Sequence, residues 1–264
     1  MTLFACMCNQ PQRLAEALAP VRHALVAQPP VARWGLAYAQ SGDVLLVRTP
    51  KASTTAVDLA APLAELPTDC AIAQSVPVGA DGFAGTDNTP PFRFRRWMFA
   101  LTGYPMLDGA TQKLVEHVPE YLRRNLKGRT PAELVFHVFL AMLHDEGSID
   151  DPNLPLAATR RALAATIKLV AAEQAHAKAG EGGFGNLVVS NGRSMVAVRL
   201  DHPMKLRKLW TRGERTERDE SFRGVLVVSN GAEGEAKDGF EEVPAQRAVL
   251  IQRDLQVSLA DLSP

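Results

Sequence analysis

Apolar and polar positions divide the chain into strand-like sequence, then two helical segments, then strand-like sequence again. Residues 2–8 form a short apolar run closed by Asn9, the pattern of a buried strand. Asn9 is a candidate cap for a helix beginning near Pro11. Leu14, Leu18, Val21 and Leu25 would share its apolar stripe, with Pro20 expected to kink or split it. Residues 34–39 and 44–47 predict a hairpin turning at Ser41-Gly42-Asp43. Residues 58–66 predict a further helix, and 70–76 and 94–101 two more apolar strands.

Thr130-Pro131-Ala132-Glu133 is a helix start, with a Thr cap, Pro in the first turn and Glu three residues after the cap. Leu134, Val138, Leu140 and Met142 carry apolar surface up to His144. A longer helix follows, with Leu156, Leu163, Ile167 and Val170 on one face and Gly180 as a stop. The loop Gly182-Gly183-Phe184-Gly185 reads as a hinge between elements. In the last third, the run ending Ser190-Asn191-Gly192 is echoed by the run ending Ser229-Asn230-Gly231. Asn-Gly after an apolar run signals a two-residue hairpin turn, because both positions tolerate positive φ. Residues 195–200 would be the partner strand of the first, and 248–251 with 255–259 a final hairpin. The order predicts an α+β protein: two sheets with helices outside. No stretch is rich enough in Pro, Gly or Ser to separate domains, so residues 1–264 read as one domain.

Composition narrows the functional classes. At 264 residues the chain can bury about three quarters of its unfolded surface without staples. Lys plus Arg equals Asp plus Glu at 29 each, so no global field attracts nucleic acid or an anionic membrane. Three cysteines, Cys6, Cys8 and Cys70, argue against a disulfide framework and point to a reducing, cytoplasmic setting. No apolar run approaches a membrane span, and the start of the chain lacks a signal-peptide pattern.

The candidate chemistry centres on residues 88–103. Asn88-Thr89-Pro90-Pro91-Phe92 leads through Arg93 to Arg96 into Trp97-Met98-Phe99-Ala100-Leu101-Thr102-Gly103. This stretch resembles the N-T-H-P-F, strand, A-H-N-G passage of class II glutamine amidotransferases, members of the N-terminal-nucleophile hydrolase superfamily. Trp34-Gly35, the helix start at Thr130 (T-D-S-E in the family), the 184–200 hairpin and Glu242-Val243-Pro244 resemble further family pieces in family order. The resemblance implies a four-layer αββα sandwich. It does not by itself confer activity.

By that resemblance, Thr2 stands where the family has its nucleophilic cysteine, whose own α-amine is the base. The first strand also matches one residue shorter, through Leu3-Phe4-Ala5, which leaves no counterpart to the nucleophile. Ala73 falls where an arginine would pair with glutamine's α-carboxylate, and Gln74 beside it carries no charge. Pro131 replaces the aspartate for the α-ammonium. Thr102 replaces the oxyanion-hole asparagine before Gly103, and losing one such donor costs about 3 kcal/mol in the transition state. The scaffold positions Asn88, Phe92, Gly103 and Glu133 are kept. The resemblance therefore implies a relative without glutaminase activity that serves as a binding or regulatory module. The alternative is an N-terminal-threonine amidohydrolase acting through Thr2 on another amide.

Other patterns are weaker. Cys6 and Cys8 share a strand face and, with Cys70, could offer thiols to a soft metal, but no fourth ligand is evident and the spacing matches no zinc motif, so buried reduced core thiols are the favoured reading. Glu133, His137 and His144 lie at helical spacing, but Glu133 is spoken for by the cap. Arg93, Arg95 and Arg96 alternate with Phe94 as a phosphate-binding or acidic-partner surface, or simply as an exposed basic strand edge. No cofactor and no metal are expected, and the sequence names no partner.

Overall fold

The computed structural model describes residues 1–103, 110–147, 149–176, 185–210, 222–229 and 239–262. A seven-stranded sheet runs in the spatial order Glu241–Glu242, Lys205–Trp210, Arg223–Ser229, Leu3–Cys8, Cys70–Pro77, Val31–Gln40, Asp43–Thr49. A six-stranded sheet runs Val257–Asp261, Arg247–Ile251, Met195–Arg199, Leu187–Ser190, Trp97–Leu101, Phe92–Phe94. Their strand pairs are antiparallel throughout. The helices are α1 (Leu14–Leu18), α2 (Thr111–Glu116), α3 (Glu120–Arg123), α4 (Pro131–Glu146) and α5 (Leu156–His176).

Strand alternation sorts side chains into three cores. Leu3, Ala5 and Met7 point between the sheets, toward Met98, Ala100 and Val188. Phe4, Cys6 and Cys8 point outward onto α1 and the turns after it. On the second sheet, Phe99, Leu187 and Val189 pack beneath α4 and α5. The layers are helix, sheet, sheet, helix, as the αββα expectation required. Among the described residues no helix is long and apolar enough to cross a membrane.

Several local expectations are corrected. The 94–101 strand is interrupted: Phe92–Phe94 and Trp97–Leu101 form a hairpin turning at Arg95-Arg96, with Arg95 at φ 51°. The N-terminal helix is α only over Leu14–Leu18 and becomes a 3-10 helix over Ala19–Leu25, so Pro20 does split it. The residue before the first 3-10 turn is Gln10, and Asn9 Oδ1 accepts the Arg223 N–H at 2.8 Å. The helix expected over residues 58–66 shrinks to one 3-10 turn, Ala61–Ala64. The turn at Asn191-Gly192 has four residues, because Ser190 pairs with Met195 and Asn191 Oδ1 accepts the N–H groups of both Arg193 and Ser194. Gly180, Gly182 to Phe184 and Asn230-Gly231 lie outside the described residues. The hairpin at Ser41-Gly42, with φ 53° and 90°, matches its expectation.

Candidate functional site

The first strand enters the sheet between two long neighbours. Leu3 pairs with Gln74 and, on the other side, with Ser229. One step earlier, Thr2 O accepts the Ser75 N–H at 2.9 Å, and Thr2 N donates to Ser75 Oγ at 3.1 Å. Because Leu3 faces the gap between the sheets and Phe4 faces α1, alternation places Thr2 on the α1 side with Phe4. Met1 then takes the inter-sheet side. Gln74 shares that side: its Nε2 lies 3.2 Å from Met1 Sδ and donates to the Leu101 carbonyl at 2.6 Å. Gln74 Oε1 is buried without a partner among the described residues. Desolvation lowers the pKa of the Met1 amine. A neutral amine is what a terminal base requires, but a thioether gives it no nucleophile to activate.

Ala73 is on the other face. It pairs with Phe4 and packs in the α1 core, so its Cβ does not reach the inter-sheet site. The position facing Met1 is Gln74.

Thr102 follows Leu101 at the end of its strand and is 3% exposed. Its backbone N–H donates to the Asn186 carbonyl at 2.7 Å, and its hydroxyl donates to the same oxygen at 3.2 Å. A hydroxyl has one proton to give, so Thr102 has none left for a developing oxyanion. Gly103 adopts φ 79°. Gly185 lies against the peptide joining Thr102 to Gly103; a Cβ on Gly185 would stand 1.6 Å from Thr102 O and 2.7 Å from Gly103 N. The structure therefore brings Met1, Gln74 and the Leu101–Gly103 backbone together, while Thr2 and Ala73 stand on the opposite face.

Pro131 opens α4. Thr130 Oγ1 accepts the Glu133 N–H at 3.2 Å, completing one half of the expected cap. The Glu133 carboxylate reaches further back, accepting the N–H groups of Lys127 at 3.1 Å and Gly128 at 2.7 Å. Asn88 Oδ1 accepts the Arg129 N–H at 2.7 Å. Asn88 and Glu133 thus clamp residues 127–129 to the chain that leads into Phe92–Phe94, a positioning job. Gly35 has a similar reason to be glycine: a Cβ there would stand 2.5 Å from the Pro90 carbonyl oxygen.

Sequence reasoning missed Arg33 and Asp81. Arg33 is 2% exposed and lies at the same end of the sheet, two strands from Met1. Its guanidinium pairs through both Nη atoms with the Asp81 carboxylate, while Nη1 also donates to Phe83 O at 2.8 Å and Nε to Asn88 O at 2.9 Å. A register shift between Val31 and Arg33 turns this side chain to the face of Gly35 and Ala37. The available signal was the alternation itself: Arg33, Gly35 and Ala37 occupy one face, and a charge on a core face demands a partner. A guanidinium and a carboxylate do stand near this strand end, but each is consumed by the other.

The remaining candidates separate. Cys6 and Cys8 face α1, whereas Cys70 faces the inter-sheet core with its Sγ 3.2 Å from Ser190 Oγ. Burial pushes the Cys8 and Cys70 thiols up to about 12. His137 Nδ1 bonds the Glu133 carbonyl at 2.9 Å, and burial lowers the imidazole pKa. Among the described residues no three His, Cys, Asp or Glu side chains are grouped to hold a metal. A cleft of about 880 Å³ lies between Asp43–Thr49, Phe92–Phe94 and α4, lined among others by Arg48, Arg96, Lys127 and His137.

Comparison with known proteins gives one kind of answer. No family model matches the sequence, and no curated protein matches it either. Solved structures do match in fold. A glutamine aminotransferase class-II domain protein from Silicibacter pomeroyi is similar over 100% of both chains, with a TM-score of 0.59 and 16% identity. A Pseudomonas aeruginosa protein described as a predicted glutamine amidotransferase is similar over 97% of this chain and 99% of its own, with a TM-score of 0.56 and 12% identity. The glutamine phosphoribosylpyrophosphate amidotransferase of B. subtilis matches all of this chain but only 49% of its own length, with a TM-score of 0.56 and 10% identity. At these identities the likeness is one of fold: this chain has the fold of class II glutamine amidotransferase domains.

Proposed function

We propose that this protein is a glutamine amidotransferase-like domain without glutaminase activity that acts as a binding or regulatory module. The observation that carries the reading is at the strand end. The side chain meeting Gln74 there is the Met1 thioether, and the Thr102 hydroxyl is spent on the Asn186 carbonyl. Nucleophile and side-chain oxyanion donor are both missing from the place where the chemistry would need them. The guanidinium nearby is neutralised by Asp81, so an amino acid's carboxylate would have to displace a buried acid to reach it.

A second reading has one observation in its favour. Thr2 N contacts Ser75 Oγ at 3.1 Å, so removal of Met1 would leave a terminal threonine whose amine already has a hydroxyl partner. That reading needs the Thr2 hydroxyl to turn from the α1 side toward Gly103.

The test combines intact mass with turnover. Purified protein is weighed to see whether Met1 is retained, then assayed for ammonia release from glutamine and from a panel of other amides. The expected result is no release above that of a Thr2→Ala variant. Hydrolysis of any amide that disappears in Thr2→Ala would sink the reading and install the threonine amidohydrolase in its place.

A further inference from the structure

The cleft of about 880 Å³ beside α4 has the size of a small-molecule site and lies apart from the Met1–Gln74 strand end. Two buried polar atoms in its wall have no partner among the described residues: Arg48 Nε and His137 Nε2. Unpaired buried groups of this kind are rare unless a ligand or water completes them. His137 is only 2% exposed. Its Nδ1 bonds a carbonyl oxygen, which can only accept, so Nδ1 carries the proton and Nε2 presents a lone pair in the neutral ring. Arg48 presents the complementary group, an Nε–H. Its two Nη atoms are held by Thr86 O at 3.3 Å and Pro91 O at 2.8 Å, and its carbon lies 5.8 Å from the centroid of the Phe92 ring. These contacts fix the guanidinium, and Glu133 and Asp87 act on it electrostatically without forming an ion pair with it among the described residues.

The rest of the wall sets the charge. Arg48, Arg93, Arg95, Arg96 and Lys127 face Asp43, Asp87, Glu133 and Asp150 across the cleft. Asp150 is taken by Arg95, and Glu133 by two backbone N–H groups. Arg96 and Lys127 have no ion pair among the described residues. Positive charge is in slight excess, and Arg48 carries a buried Nε–H without a partner among the described residues.

We propose that this cleft binds a small hydroxylated oxyanion, a sugar phosphate or a hydroxy acid, with an anionic oxygen on Arg48 Nε–H and a hydroxyl donating to His137 Nε2. Arg96 and Lys127 at the rim add long-range attraction. The site is independent of whether any amide is hydrolysed at the strand end.

The whole chain is titrated calorimetrically with glycerol 3-phosphate, glycerate and inorganic sulfate, and 15N-histidine spectra follow His137 Nε2. Glycerol 3-phosphate or glycerate binds with Kd of about 1 mM or tighter, and the tighter of the two identifies the anionic group. Sulfate, which has acceptors but no proton to give, binds at least about tenfold more weakly. Arg48→Met and His137→Phe each weaken the preferred probe about tenfold, and Lys127→Ala weakens it a few-fold in a salt-dependent way. The Nε2 resonance moves on saturation with the preferred probe. Circular dichroism checks the folding of each variant. Should the buried replacements fail to fold, the wild-type spectra and the rim variant decide. No binding of either organic probe at about 10 mM, or binding that leaves the Nε2 resonance unmoved and Lys127→Ala unaffected, overturns the proposal.

Discussion

Replacing Asp81 by alanine removes the paired carboxylate from a guanidinium that is 2% exposed, leaving Arg33 charged and dry. Breaking a buried pair this way costs about 3–5 kcal/mol, since the orphaned charge keeps its desolvation penalty and loses its compensation. Asp81→Asn is milder. It keeps the shape and one acceptor for Arg33 Nη1, and it loses the charge-assisted share of the bonds, about 2 kcal/mol. Arg33→Met strands the opposite charge and costs about as much as Asp81→Ala. The double replacement strands neither, but leaves Phe83 O and Asn88 O unpaired, so it costs less than the two singles added. The coupling energy in the cycle is therefore about 3 kcal/mol. Urea unfolding at neutral pH, followed by tryptophan fluorescence and circular dichroism, gives each term by linear extrapolation. Raising the salt concentration should change little, because buried pairs are poorly screened. If Asp81→Ala costs below about 1 kcal/mol, or if the two replacements add, the pair is wet and weak. Arg33 would then be free to receive a ligand's carboxylate, and the argument against an amino-acid pocket would lose its second support.

Gly185→Ala places a Cβ 1.6 Å from Thr102 O, so its urea midpoint should drop by the equivalent of about 3 kcal/mol or more, while an alanine at the open Gly82 is silent. Thr130→Ala removes the acceptor for the Glu133 N–H and costs about 1 kcal/mol in the same assay. Cys8 and Cys70 hold their protons to about 12 in the fold against 9.0 as the ordinary value, so the folded state binds more protons than the unfolded one between those limits. Their contribution is complete below pH 9 and is lost as pH rises toward 12. Replacing either thiol with alanine should flatten the alkaline limb of the stability curve; an unchanged slope would contradict the burial argument.

Much of the architecture was legible because each sheet has one face on a helix layer and one on the other sheet. Alternation and apolar runs therefore mark the strands, and Thr130 with Glu133 marks the start of α4. The losses have local causes. Arg95 and Arg96 interrupt Phe94 and Trp97 without a glycine or proline, so nothing in residue type announced a turn with positive φ at Arg95. Pro20 announced a break but not that the helix would continue as 3-10 to Leu25. Asn9 has the right chemistry for a cap, yet its side chain is claimed by Arg223, more than two hundred residues away, which no local window can see.

At the first strand's end the side chains that meet are one residue from the positions the motif named, and in a strand one residue is a whole face. Motif matching put the nucleophile at Thr2 and the carboxylate-binding position at Ala73, and the structure turns both toward α1. Their neighbours Met1 and Gln74 are the pair that meets, 3.2 Å apart between the sheets. The two displacements run in opposite directions along the sequence, as they must when paired strands are antiparallel, because Leu3 opposite Gln74 fixes Thr2 opposite Ser75. This register puts Thr2 on the α1 side whichever way the first strand is matched. It leaves a methionine thioether at the strand end and an uncharged amide beside it. A cysteine put at position 2 would thus not bring a thiol to this strand end. That thiol would still face α1, behind the sheet from Gly103.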